Sequence, residues 1–163
     1  MNLNPFEYMS VTQAIQLILA PAVMINACGL LLLGISNKFS AILNRIRALN
    51  EEKRKLILRS AEREFHPLEN QRVESISRQL PGLLRRAKLV QDSLLCYFMA
   101  VGLFIGTSMV IGVDFFFPNP VFRYFVIGMF LTGMILVLAG VVFAVLDTVR
   151  GFAIVRFEVT VDE

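Results

Sequence analysis

The chain has 163 residues, of which 56% are hydrophobic and 18% charged, with a formal net charge of +3. Its mean hydropathy of +0.65 exceeds what a water-soluble domain of this size needs to fill a core. A single histidine rules out a His-based metal cluster.

Three stretches are long and apolar enough to cross a bilayer, which takes about 20 residues of helix. They are residues 11–35, 94–113 and 120–146; none holds Asp, Glu or Lys, and Arg123 is the one arginine among them. The pattern predicts an all-α integral membrane protein with three transmembrane helices. Residues 1–35 form the outer N-terminus and the first helix. That span is preceded by no Lys or Arg and is longer than the apolar core of a signal peptide, so it is expected to stay as an anchor. Ser10, with Gln13 three residues on, has the spacing of a capping box just before it.

Within the first span, Gln13, Ala20, Ala27 and Gly34 recur every seven residues as a seam of small or polar side chains. Such seams let helices approach closely in lipid. Gln13, Gln16 and Asn26 are the polar residues of this span and the candidates to line a pore or groove, because polar groups in a membrane face protein or water.

Residues 36–93 form the next segment and hold 13 of the 16 Lys and Arg against seven Asp and Glu. The positive-inside rule places this segment and the C-terminus in the cytoplasm and the N-terminus outside. Tyr8 and Tyr124 then fit an outer aromatic belt and Tyr97 an inner one. After Ile35, the apolar positions Phe39, Ile42, Leu43, Ile46 and Leu49 make one stripe of an amphipathic helix. That stripe has to bury against a returning helix, a neighbouring subunit or the bilayer surface. Lys38, Arg45 and Arg47 occupy the other face, placed for lipid headgroups or a protein partner. Asn50, Glu51 and Glu52 resemble a fresh helix start, predicting a break near residue 50. Glu51 with Lys55, and Glu74 with Arg78, are i,i+4 pairs in the favourable order. His66-Pro67 predicts a reversal and Pro81-Gly82 a break or kink, so the segment reads as a basic cytoplasmic helical hairpin. No recognition motif or interleaved aromatic pattern accompanies its charge, which argues against a nucleic-acid partner.

Residues 94–146 form the second and third transmembrane helices with a short outer loop. Gly102 and Gly106 make a GxxxG, and Gly140 with Ala144 a small-xxx-small pair, both read as helix packing. Asn119-Pro120 places a cap residue and a first-turn proline at the third span. Asp147 closes that span with Arg150 one turn later, read as an interfacial charge pair, or alternatively as a contact to the basic hairpin. Residues 147–163 form a cytoplasmic tail whose end, "RFEVTVDE", alternates with period two, as a strand would.

Catalytic constellations are absent. Cys28 and Cys96 lie without CxxC spacing, and no Walker loop, GxGxxG or nucleophile elbow occurs. Neither an enzyme nor a cofactor is expected. What remains is a multi-pass protein of the bacterial inner membrane, assembling as a homo-oligomer that is structural or pore-forming, conducting an ion or small solute. The alternative is an insertase-like or scaffold subunit whose residues 36–93 engage a cytoplasmic protein partner.

Pro21, "CGLLLL" (28–33), Asn37-Lys38 and Arg45-Ile46-Arg47 carry a resemblance to a bacterial three-span membrane family catalogued as a domain of unknown function. The resemblance covers nearly the whole chain and implies the fold without an activity. Where an acidic residue is common in that family, just before Arg-x-Arg, this chain has Asn44. The order of spans and hairpin is also similar to the layout of the Oxa1-type insertases, where a polar groove eases polar segments into lipid. That similarity is one of layout, since no motif carries it and no span here holds a deep charge.

Overall fold

The computed structural model describes residues 11–62, 67–117 and 120–161. All three elements are helices: α1 Val11–Glu62, α2 Pro67–Phe116 and α3 Pro120–Val161. Each is more than twice the length a bilayer requires, and each contains a stretch long and apolar enough to cross one. The two later helices begin on prolines, whose missing N–H is no loss in a first turn. Ser10, Tyr8, His66 and Asn119 lie outside the described residues.

Three local signals are overridden. No break occurs near residue 50, since α1 runs on to Glu62. Asn in a helix interior costs under about 1 kcal/mol, whereas two new helix ends would leave up to eight backbone groups to satisfy. Pro81 likewise sits inside a continuous α2. Its loss of a backbone bond costs about 3 kcal/mol, and the flanking Leu80 and Leu83 offset part of it by packing on the neighbouring apolar cluster. Residues 156–161 of the alternating tail belong to α3 and do not form a strand. A lone strand leaves its backbone groups unpaired, while a helix satisfies them within the segment.

The chain divides into two compact units. The first takes in Met1–Leu33 and Leu94–Val141. At its centre Cys28, Ala100 and Phe104 are fully buried, with Met24, Ile25, Phe130 and Val137 around them. The Phe104 and Phe130 rings stand 5.5 Å apart and tilted, an arrangement favoured by their quadrupoles. The buried polar group here is Thr107, whose hydroxyl donates to the Leu103 carbonyl at 2.8 Å. Large apolar side chains such as Leu30, Met109, Ile135 and Leu138 face outward instead. A polar group satisfied inside and bare hydrocarbon outside is the distribution lipid demands and water opposes.

Small residues set the α2–α3 contacts of this unit. A Cβ on Gly133 would stand 2.8 Å from the Phe104 ring, and one on Gly140 would stand 3.0 Å from the Tyr97 ring. Tyr97 does not face outward; its ring is buried over Gly140. Of the GxxxG pair, a Cβ on Gly106 would stand 2.6 Å from the Met129 methyl, while one on Gly102, which is exposed, would meet nothing within 4 Å. Gly106→Ala and Gly102→Ala are both expected to change thermal stability in detergent by under about 0.5 kcal/mol, because the flexible end of Met129 can move aside. A loss above about 1 kcal/mol at Gly106 would show that Met129 is locked in place.

The second unit comprises Gly34–Ser93 and Val142–Glu163. Ile42 and Ile46 of α1 are buried against Ala87 and Val90 of α2, with Ile35, Phe39, Leu80 and Leu83 closing the cluster. Of the amphipathic stripe, Phe39, Ile42 and Ile46 are thus covered by α2. Further along the same pair of helices, Arg72 Nε donates to Glu52 Oε1 at 2.8 Å. Both expected i,i+4 pairs form, Lys55 on Glu51 at 2.9 Å and Arg78 on Glu74 at 2.7 Å. These exposed pairs are screened by water and add little, so the apolar cluster dominates.

Candidate functional site

One charged residue lies fully inside the described structure. Asp147 of α3 has no exposed surface, and a carboxylate stripped of water must find compensating charge. It finds two cations from two other helices. Arg86 of α2 donates Nε–H to Oδ1 at 3.2 Å. Lys38 of α1 brings Nζ to 2.6 Å from Oδ2. That contact is an ion pair without hydrogen-bond angles, and Oδ2 accepts no hydrogen bond. The directed bond of Lys38 goes to Thr148 Oγ1 at 3.0 Å, and Thr148 in turn donates to the Ala144 carbonyl. One helix turn of α3 thus holds both the carboxylate and the hydroxyl that position the ammonium.

The charges are arranged so that the anion is hidden and the cations are not. The Lys38 side chain is 36% exposed and that of Arg86 24%, against 0% for Asp147. Formally the cluster carries one net positive charge. Ion pairs from two helices onto a carboxylate of the third lock the three together, and two partly exposed cations can attract a further anion. The described residues contain no group of three or more potential metal ligands.

The residues singled out in the sequence fall into distinct groups. Asp147 meets two members of the basic segment, which is the second of its two readings. The Arg150 side chain lies outside the described residues, and so does any contact between it and Asp147. Lys38 turns inward to Asp147, while Arg45 and Arg47 are exposed. Arg86 is the participant that the sequence reading missed. Its signal was indirect: a lone carboxylate at the end of an apolar run needs a cation from elsewhere in the chain.

Gln13, Gln16 and Asn26 are exposed on α1, together with Ala20, Ala27 and Gly34. At 100° per residue, Gln13, Gln16, Ala20, Ala27 and Gly34 share an arc of about 60°, whereas Asn26 is turned about 100° from Ala27. The three polar residues are therefore not on one face. Ala144 is half-buried, and Gly140 lies against Tyr97.

Three helices of this length and apolarity, wrapped in outward hydrocarbon, define a multi-pass membrane protein. Residues 18–157 match the family described as Protein of unknown function (DUF2721), and the chain belongs to that family. No curated protein and no solved structure matches it.

Proposed function

We propose that the protein is the subunit of a homo-oligomeric assembly, structural or pore-forming, in the bacterial cytoplasmic membrane. In this reading the N-terminus lies outside, residues 36–93 form a basic cytoplasmic hairpin, and the C-terminus lies inside. The distribution of cations supports the orientation, 13 of the 16 falling in that segment.

The observation that carries the assembly is the exposure of Gln16 and Asn26 on α1. An amide facing hydrocarbon without a partner costs about 2 kcal/mol or more, and a second copy or a water-filled path removes that cost. The seam beside them is open to close approach, because Ala20, Ala27 and Gly34 are exposed and a Cβ on Gly34 would meet nothing within 4 Å. The angular spread gives the residues different tasks. Gln13 and Gln16 face one direction, suited to a path. Asn26 faces an adjacent one, suited to a hydrogen bond across a subunit boundary.

Native mass in a mild detergent or nanodisc tests the reading, with a single closed multiple of 18.4 kDa expected. A monomer overturns it. For an oligomer that conducts ions in liposomes, replacing Gln13, Gln16 and Asn26 together by Leu should abolish flux. Unchanged flux in a conducting oligomer would remove the pore-lining assignment.

The alternative, a scaffold or insertase-like subunit, draws on a different feature. Arg47, Arg54 and Lys55, with Asn50, Glu51 and Leu58, line an open recess of about 580 Å³ on α1. A basic recess of that size suits an acidic segment of another protein. Purification as a complex with other chains, in place of a symmetric oligomer, would favour it.

A further inference from the structure

We propose that Lys38 and Arg86, anchored on buried Asp147, form a binding site for one phosphodiester group, supplied by the headgroup of an anionic phospholipid. The cluster is more than a neutralised carboxylate. One cation would balance Asp147; the site has two, and both keep exposed surface while the acid keeps none. The net charge of one therefore faces outward, and a phosphodiester with one negative charge brings it to zero.

The donor geometry fits the same ligand. Arg86 commits Nε–H to Asp147; its guanidinium carries four further N–H donors, at the end that pairs with phosphate oxygens in a bidentate fork. Lys38 is held near Asp147 by charge and bonded to Thr148. Its ammonium has three donors, so an incoming oxygen can be bound without breaking the Thr148 bond. Because Oδ2 takes no hydrogen bond from Lys38, a small shift of the ammonium toward a phosphate costs no directed contact with the carboxylate. Asp147 is thus a positioning residue that sets the spacing of the two cations.

Placement favours a lipid over a soluble phosphate. Lys38 follows the first apolar run by three residues, and Asp147 directly follows the third run. With the span ends read from the sequence, both fall at the depth of headgroup phosphates, where anionic lipids attract Lys and Arg. This assignment needs the membrane-spanning fold but not the oligomer, so it stands or falls separately from the proposed assembly.

The test is a titration of delipidated full-length protein in detergent, following bound lipid by native mass and the thermal midpoint in parallel. Phosphatidylglycerol is compared with phosphatidylcholine of the same chains, and with inorganic phosphate. The expected result is retention of phosphatidylglycerol at least tenfold more tightly than phosphatidylcholine, with a rise in midpoint that phosphate alone does not give. Arg86→Gln and Lys38→Gln should each weaken retention at least tenfold, while the exposed pair Arg85→Gln/Lys88→Gln should leave it within twofold. If Arg86→Gln does not fold, Arg86→Lys decides the matter. It keeps the charge and loses the fork, so binding should weaken severalfold. Retention within twofold in the Arg86 variant, or an equal loss in the Arg85/Lys88 variant, overturns the site in favour of general surface attraction. An equal effect of inorganic phosphate keeps the phosphate chemistry and overturns the lipid as its source.

Discussion

Replacing Lys38 and Arg86 together by Met is expected to destabilise the protein by about 3–5 kcal/mol, the usual loss when a buried charge is left without its partners. The carboxylate of Asp147 has no exposed surface, and among the described residues these two cations are its ion-pair partners. Each single replacement should cost much less, because the other cation remains and Lys38 is partly exposed to begin with. The signature of a charge effect is rescue. Adding Asp147→Asn to the double variant removes the stranded charge at nearly constant volume, and most of the lost stability should return. Reversible unfolding in mixed micelles, run on the single, double and triple variants, provides the cycle. A double variant that loses under about 1 kcal/mol would mean that another cation satisfies Asp147. Arg150, one turn further along α3, is the first residue to test in that case. A triple variant no better than the double would mean that packing and not charge holds this corner.

The lock also explains why one end of the fold was hard to read. The apolar runs were legible because a bilayer imposes a length and a composition that no local competitor matches. The stripe of Ile42 and Ile46 was legible for the same kind of reason, since helical periodicity shows which residues must be covered. It could not show by what, and Ala87 and Val90 carry no distinctive mark in the sequence. Asp147 stood out as a charge at the end of a span, but Arg86 lies 61 residues away among 13 candidate cations. Pattern reading has no means of choosing between them; only helix packing brings one to 3.2 Å. The failures at Asn50, Pro81 and the tail share another cause. Each was a local preference worth about 1–3 kcal/mol or less, set against helix continuation, which satisfies backbone groups along the whole segment.

Glycines show the same division between what spacing reveals and what contact decides. GxxxG drew notice to Gly102 and Gly106, yet neither approaches a rigid neighbour. Gly133, in no motif, is the position where α3 accommodates the buried ring of Phe104. The sequence could have indicated it only if Phe104 were known to face α3. A motif records which residues permit close approach; the bulky partner on the other helix determines which of them is needed.

The pair Phe104 and Gly133 therefore gives the strongest expectation for the first unit. Phe104→Ala should cost about 2–3 kcal/mol, below the range for aqueous cores, because the unfolded reference also keeps the ring in hydrocarbon and only packing is lost. The lost packing includes the contact with Phe130 and the face against Gly133. Gly133→Val should be destabilising by about 1–3 kcal/mol for the opposite reason, since its added carbons meet the ring edge and a fully buried ring has no room to move. Joined in one chain, the two changes should compensate: the valine fills part of the space that the ring vacates. The double variant is then expected to lose at least about 1 kcal/mol less than the sum of the single losses. Unfolding of the reconstituted protein on raising the denaturing detergent fraction measures all four corners of the cycle. Strict additivity would mean that Phe104 and Gly133 do not share a contact, and would remove the basis for placing α2 against α3 at this point of the first unit.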